Sequence, residues 1–97
     1  MIKAQVVSEV ARKTGISKAD VQLTVEVLFQ TIQNAMVAGE NVHFRGFGSF
    51  AKKKRAKKIA RNIAQNTALI VEEHYVPSFH PAKAFSAKIK AQVKVNE

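Results

Sequence analysis

The side chains able to do chemistry in this sequence are cations. Between Asn41 and Arg61 lie Arg45, Lys52, Lys53, Lys54, Arg55, Lys57, Lys58 and Arg61, with no acidic residue among them. These eight charges make up nearly the whole formal net charge of +9. Upstream, Lys3, Arg12, Lys13 and Lys18 are balanced by Glu9, Asp20, Glu26 and Glu40. Downstream, Lys83, Lys88, Lys90 and Lys94 are nearly balanced by Glu72, Glu73 and Glu97. Charge concentrated in one ribbon is the electrostatic footprint of a protein that binds a polyanion.

Covalent and metal chemistry lack their usual groupings. His43, His74 and His80 have no metal-ligand spacing and read as surface or groove-lining residues. No nucleophile, base and acid can be assembled, so we expect no enzyme, no catalytic residue, no metal, no cofactor and no small-molecule substrate. The absence of cysteine removes disulfides and thiolate metal sites. At 97 residues the chain makes one small domain, whose core is marginal unless oligomerisation buries more apolar surface. A hydrophobic content of 46% is too high for a disordered basic tail. The sequence pI of about 10.2 favours nucleic acid, although an anionic membrane attracts the same charge. No signal-peptide or bilayer-spanning run is apparent, and we expect a cytoplasmic protein without a membrane partner.

The elements that must position the ribbon follow from periodicity. Ile2, Val6, Val7, Val10 and Ala11 have helical spacing, and Gly15 marks the end of that helix. Ser17 is placed to cap a second helix, with Asp20 in its positively polarised first turn. That helix carries Val21, Val25, Leu28, Phe29, Ile32 and Met36 on one stripe and stops at Gly39. Leu23 and Val27 widen its apolar surface beyond what one neighbouring helix covers, a hint of a partner subunit. Val42 and Phe44 then alternate with His43 and Arg45 as in a half-buried strand, Gly46-Phe47-Gly48 turns, and Phe50 starts a second strand. From Ala51 both faces become basic, so the strand is expected to leave the core as a projecting arm. Its tip falls at residues 62–67. Leu69 to Val71, with Tyr75 and Val76, form the returning strand; Pro77 is expected to end it, and Pro81 to open a last helix with Ala84, Phe85, Ile89 and Val93.

Gly46-Phe47-Gly48-Ser49-Phe50, followed by the basic ribbon, Arg61-Asn62, and Val76-Pro77-Ser78-Phe79 with Pro81 and Lys83, resembles the HU/IHF family of bacterial histone-like DNA-binding proteins. The resemblance runs from Ile2 to about Ile89. It implies an α+β fold: two N-terminal helices, a three-stranded antiparallel sheet with a long β-arm, a short C-terminal helix, and an intertwined dimer. The helical dimerisation part would span about 1–40, the sheet and arm about 41–80, and the last helix about 81–94. The implied function is a nucleoid-associated architectural protein that bends or compacts double-stranded DNA through the minor groove with little sequence specificity. Lys53, Arg55, Lys58 and Arg61 match arm residues that face DNA, with Lys52, Lys54, Lys57 and Arg45 beside them. Asn62 matches the polar residue before the tip, and Lys3, Gly46 and Lys83 match body positions near phosphates. Phe47, Phe50 and Phe79, with Phe29 and Phe44, match the dimer core. The implied partner is a second copy, or alternatively a related chain.

This sequence departs from the family pattern at several places. Ile63 replaces the usual proline after Arg-Asn, where it would serve as the apolar wedge, His80 replaces a common lysine, and Glu72 and Glu73 sit in the returning segment. These departures leave the expected fold intact and bear on the strength and angle of bending. Two other function classes fit parts of the sequence. A helix-turn-helix reader is disfavoured because its recognition helix would carry Lys18 against Asp20 and Glu26 and continue as an apolar stripe. A scaffold whose ribbon binds RNA or acidic membranes stays open.

Overall fold

The computed structural model describes residues 1–62, 64–65 and 67–95 of the chain. Two helices come first, α1 (Lys3–Thr14) and α2 (Lys18–Val37). Ser17 caps α2 by accepting a hydrogen bond from the Asp20 N–H at 3.2 Å, as its sequence position predicts. Five strands follow: β1 (Val42–Phe44), β2 (Gly48–Arg55), β3 (Lys58–Asn62), β4 (Thr67–Val71) and β5 (His74–Pro81). The chain then enters α3 (Lys83–Gln92). The strands form two antiparallel sheets, one ordered β1-β2-β5 and the other a two-stranded ribbon of β3 and β4. The fold class is thus α+β, with three helices and antiparallel sheets.

Two local expectations are corrected. Pro77 does not end the returning strand but lies inside β5, opposite Lys52. β5 is an edge strand, where a residue lacking an N–H is tolerated if its nitrogen falls on the unpaired side. Pro81 is likewise the last residue of β5, and Ala82 is the N-cap of α3. Beyond Ala51, Lys52 to Arg55 are all exposed. β2 stays paired with β5 through Arg55, and the break comes at Ala56 and Lys57. A long lysine stem can lie along apolar surface while its ammonium reaches a polar partner. Lys52 does this: it lines a cavity with Met36, Val37, Tyr75 and Pro77, and its Nζ donates to the Gly39 carbonyl at 2.9 Å.

The sheet is joined to α3 by an aromatic cluster. Phe47 lies 5.3 Å from Phe79 and 5.5 Å from Phe85, and Phe50 lies 5.0 Å from Phe79, ring centre to ring centre. Phe44 meets Phe50 edge-on at 6.2 Å. The turn that presents Phe47 closes with a Phe47 N–H to Phe44 carbonyl bond of 3.0 Å, and Gly46 takes the left-handed backbone it requires, φ 81°. Gly48 serves a different purpose. A Cβ there would lie 2.6 Å from Phe79 Cζ and 2.7 Å from the His80 carbonyl oxygen, so only glycine lets the two strands close over the ring.

One chain encloses little of its apolar surface. Among the described hydrophobic residues only Val7, Val21 and Ile32 are buried, while Phe29 and Phe47 each remain 50% exposed. The accessible area is 8535 Å², against about 5,500 Å² for a compact chain of this mass. The radius of gyration is 19.0 Å, against about 13 Å for a compact domain of this length.

Candidate nucleic-acid interface

Strand register sorts the cations into two sets, because residues paired across a sheet share a face and successive residues alternate. One face of the body sheet carries Val42, Phe44, Phe50, Lys52, Lys54, Tyr75, Pro77 and Phe79. This is the face toward the helices, as the Phe79–Phe85 contact and the Lys52–Gly39 bond require. The opposite, outer face carries His43, Ser49, Ala51, Lys53, Arg55, His74, Val76, Ser78 and His80. The uninterrupted basic run therefore divides by parity into Lys52 and Lys54 inside, Lys53 and Arg55 outside.

Hydrogen bonds and ion pairs follow the same division. Lys52 is tied to Gly39, Lys54 pairs with Glu73 at 3.3 Å, and Lys57 pairs loosely with Glu72 at 3.9 Å. Both glutamates are thereby held against lysines at the junction of the two sheets. Among the described residues, Arg45, Lys53, Arg55, Lys58 and Lys83 have no side-chain ion pair or hydrogen bond, whereas Arg61 has a contact of its own. Lys3 lies far from the ribbon in sequence and pairs with Glu26 at 3.2 Å. That hydrogen bond, assisted by one from Gln22 and by the Lys3 charge, holds the Glu26 carboxyl below the usual carboxylate range.

The ribbon begins beside the outer tract, Arg55 and Lys58 lining one cleft. In the ribbon Lys58 pairs with Val71, Ile59 with Ile70, Ala60 with Leu69, and Arg61 with Ala68. Its charge resides in β3, while β4 is uncharged, and Ile59, Leu69 and Ile70 are 70%, 54% and 60% exposed. Asn62 is the last residue of β3, opposite Thr67; Ile63 lies outside the described residues. Phe44, Phe47, Phe50 and Phe79 come together in the aromatic cluster, but Phe29 on α2 makes no ring contact among the described residues. Sequence reasoning did not place Phe85 in that cluster. Its position on the apolar stripe of α3 was the available signal.

The outer face also gathers the chain's 3 histidines, which no spacing in the sequence connects. His43 Nδ1 lies 2.7 Å from Ser49 Oγ, and Ser49 is paired with His80, so the three form a row across the sheet. His74 is opposite Arg55 at the ribbon end of the same face. Among the described residues this face combines unpaired cations with hydroxyl and imidazole groups, the donor types that contact phosphates in nucleic-acid interfaces generally. Among the described residues no set of acidic, histidine or cysteine side chains is arranged to hold a metal, and no helix is long and apolar enough to cross a membrane.

The profile of the bacterial DNA-binding protein family matches residues 1–90. DNA-binding protein HU of Thermotoga maritima is 37% identical over 90 residues, covering 93% of this chain and all of that one. Integration host factor subunit beta of Pseudomonas entomophila is 27% identical over 96 residues, covering 98% of each. Among solved structures, an Anabaena HU–DNA cocrystal structure superposes with a TM-score of 0.85 at 29% identity, over 97% of this chain and 100% of that one.

Proposed function

The chain belongs to the bacterial DNA-binding protein family of HU and integration host factor, and from that premise we propose that it is an architectural, nucleoid-associated protein that binds double-stranded DNA and bends or compacts it. The observation that carries this reading is the outer sheet face, where Lys53 and Arg55 have no intramolecular partner among the described residues and Arg55 shares a cleft with Lys58 of the ribbon. The ribbon acts as the DNA-binding arm, entering the minor groove with little sequence preference, while Arg45, Gly46 and Lys83 meet phosphates from the body. Such a protein acts in the cytoplasm, on the nucleoid.

The binding unit is a dimer, of two copies or of this chain with a relative. The half-exposed Phe29 and Phe47, together with Leu23, Val27, Phe79 and Ile89 on the open surface, supply the apolar area that a second chain covers. In this reading residues 1–40 serve dimerisation, 41–80 provide sheet and arm, and 81–94 complete the body.

Competition among a short duplex DNA, a duplex RNA and anionic vesicles tests the assignment. Duplex DNA should win, and bending should be visible on intact, nicked and four-way DNA by energy transfer between labelled ends. Preferential binding to RNA or vesicles overturns it.

A further inference from the structure

The junction between body sheet and ribbon forms an open cleft of about 570 Å³, lined by Arg55, Lys57, Lys58, His74, Val71 and Val76. Two of its cations, Arg55 and Lys58, have no intramolecular partner among the described residues. Arg55 and His74 are direct cross-strand neighbours, which places their Cβ atoms about 5 Å apart. The imidazole is oriented by a bond between Nδ1 and the Glu72 carbonyl oxygen at 2.9 Å. A carbonyl can only accept, so Nδ1 carries the hydrogen in either charge state. All the variation therefore falls on Nε2. In neutral His74 it offers a lone pair, which repels an anion; in the imidazolium it is a second donor.

From this arrangement we infer that Arg55, Lys58 and His74 form a phosphate site for the DNA backbone at the root of the ribbon, and that His74 makes its affinity rise as pH falls. The inference rests on the proposed DNA-binding function and names a residue and a form of regulation within it. The charged groups facing His74 are accounted for from each neighbouring segment: Arg55 on β2, Lys57 between the sheets, Lys58 on β3, and Glu72 and Glu73 between β4 and β5. Both glutamates are engaged, with Lys57 and Lys54 respectively, so the balance of the cleft is cationic. A bound phosphate accepts from the protonated Nε2 in a charge-assisted hydrogen bond, which favours the imidazolium. Binding thus takes up a proton, and linkage requires affinity to increase as pH decreases. His43 and His80 share the face but not the cleft, and His43 is engaged with Ser49.

The test is the affinity of the full chain for a short duplex at pH 6 and pH 8, at constant ionic strength. Histidine changes charge in this interval, and one charge-assisted contact at an exposed site predicts a gain of about fivefold to tenfold per chain, hence about 25-fold to 100-fold for a dimer, at the lower pH. His74→Gln should remove most of that gain, and His74→Lys should bind at both pH values as the parent does at pH 6. Circular dichroism checks that both variants fold. The ring resonances of His74 in the parent chain give a second measurement, independent of the variants. They should titrate at higher pH with duplex present than without it, and inorganic phosphate at matched concentration should not reproduce the shift. A parental pH dependence in His74→Gln, an unshifted titration with DNA, or an equal shift with inorganic phosphate overturns the inference while leaving the DNA-binding function standing. Failure to bind duplex at either pH overturns both.

Discussion

The sorting of cations by strand parity predicts the salt dependence of DNA binding. Each phosphate neutralised on duplex DNA contributes about 0.9 to the slope of log affinity against log salt. Five of the candidate cations, Arg45, Lys53, Arg55, Lys58 and Lys83, have no intramolecular partner among the described residues. Two chains then neutralise about ten phosphates, for a slope of about −9 and a loss of about 10⁵ in affinity between 50 and 200 mM salt. Counting every cation that the sequence singles out, Lys52, Lys54 and Lys57 included, roughly doubles the slope. Fluorescence anisotropy on a labelled duplex at a series of salt concentrations measures it directly. Lys53→Gln removes two phosphate contacts per dimer and should flatten the slope by about 1.8, whereas Lys54→Gln, on the helix side and paired with Glu73, should change it by less than about 0.5. Equal flattening by the two variants, or a parental slope near −18, would refute the division into inner and outer sets.

Other consequences concern packing, the tip and the α1–α2 contact. Gly48→Ala should destabilise the fold by about 1–3 kcal/mol in urea unfolding, since its Cβ meets the immobile His80 carbonyl as well as the Phe79 ring; an unchanged midpoint refutes that close approach. Phe47→Ala should cost about 3–5 kcal/mol and dissociate and unfold the protein together, so sedimentation of a folded monomer at micromolar concentration would contradict the obligate dimer. Ile63→Ser should reduce DNA bending more than affinity if the tip acts as an apolar wedge, as read by energy transfer between duplex ends. Glu26, whose carboxyl is held low by Lys3, should stabilise the helical pair fully above the ordinary carboxylate range and lose that contribution as pH falls through its depressed value. Lys3→Gln should return the Glu26 carboxyl resonance to ordinary titration.

The limits of the first two helices, the strand-turn-strand around Phe47 and the polyanion-binding character were all written in local patterns of the sequence. Periodicity and capping chemistry operate over a few residues, so Gly15, Ser17 and Gly39 punctuate the chain wherever it packs. The concentration of charge between Arg45 and Arg61 is likewise a property of composition along the chain. What the sequence alone left open was which cations face outward. That depends on the partner opposite each residue, since the β2–β5 register puts Lys52 against Pro77 and Arg55 against His74. Pro77 looked like a terminator because its missing N–H is a local fact, whereas the edge position that tolerates it belongs to the sheet order. His74 acquires its place beside Arg55 for the same reason: it lies 19 positions further along the chain, and antiparallel pairing alone makes them neighbours. Local chemistry thus determined which elements form and what class of ligand they suit; tertiary pairing decided which side chains are available to it, because a face exists only once two strands are in register.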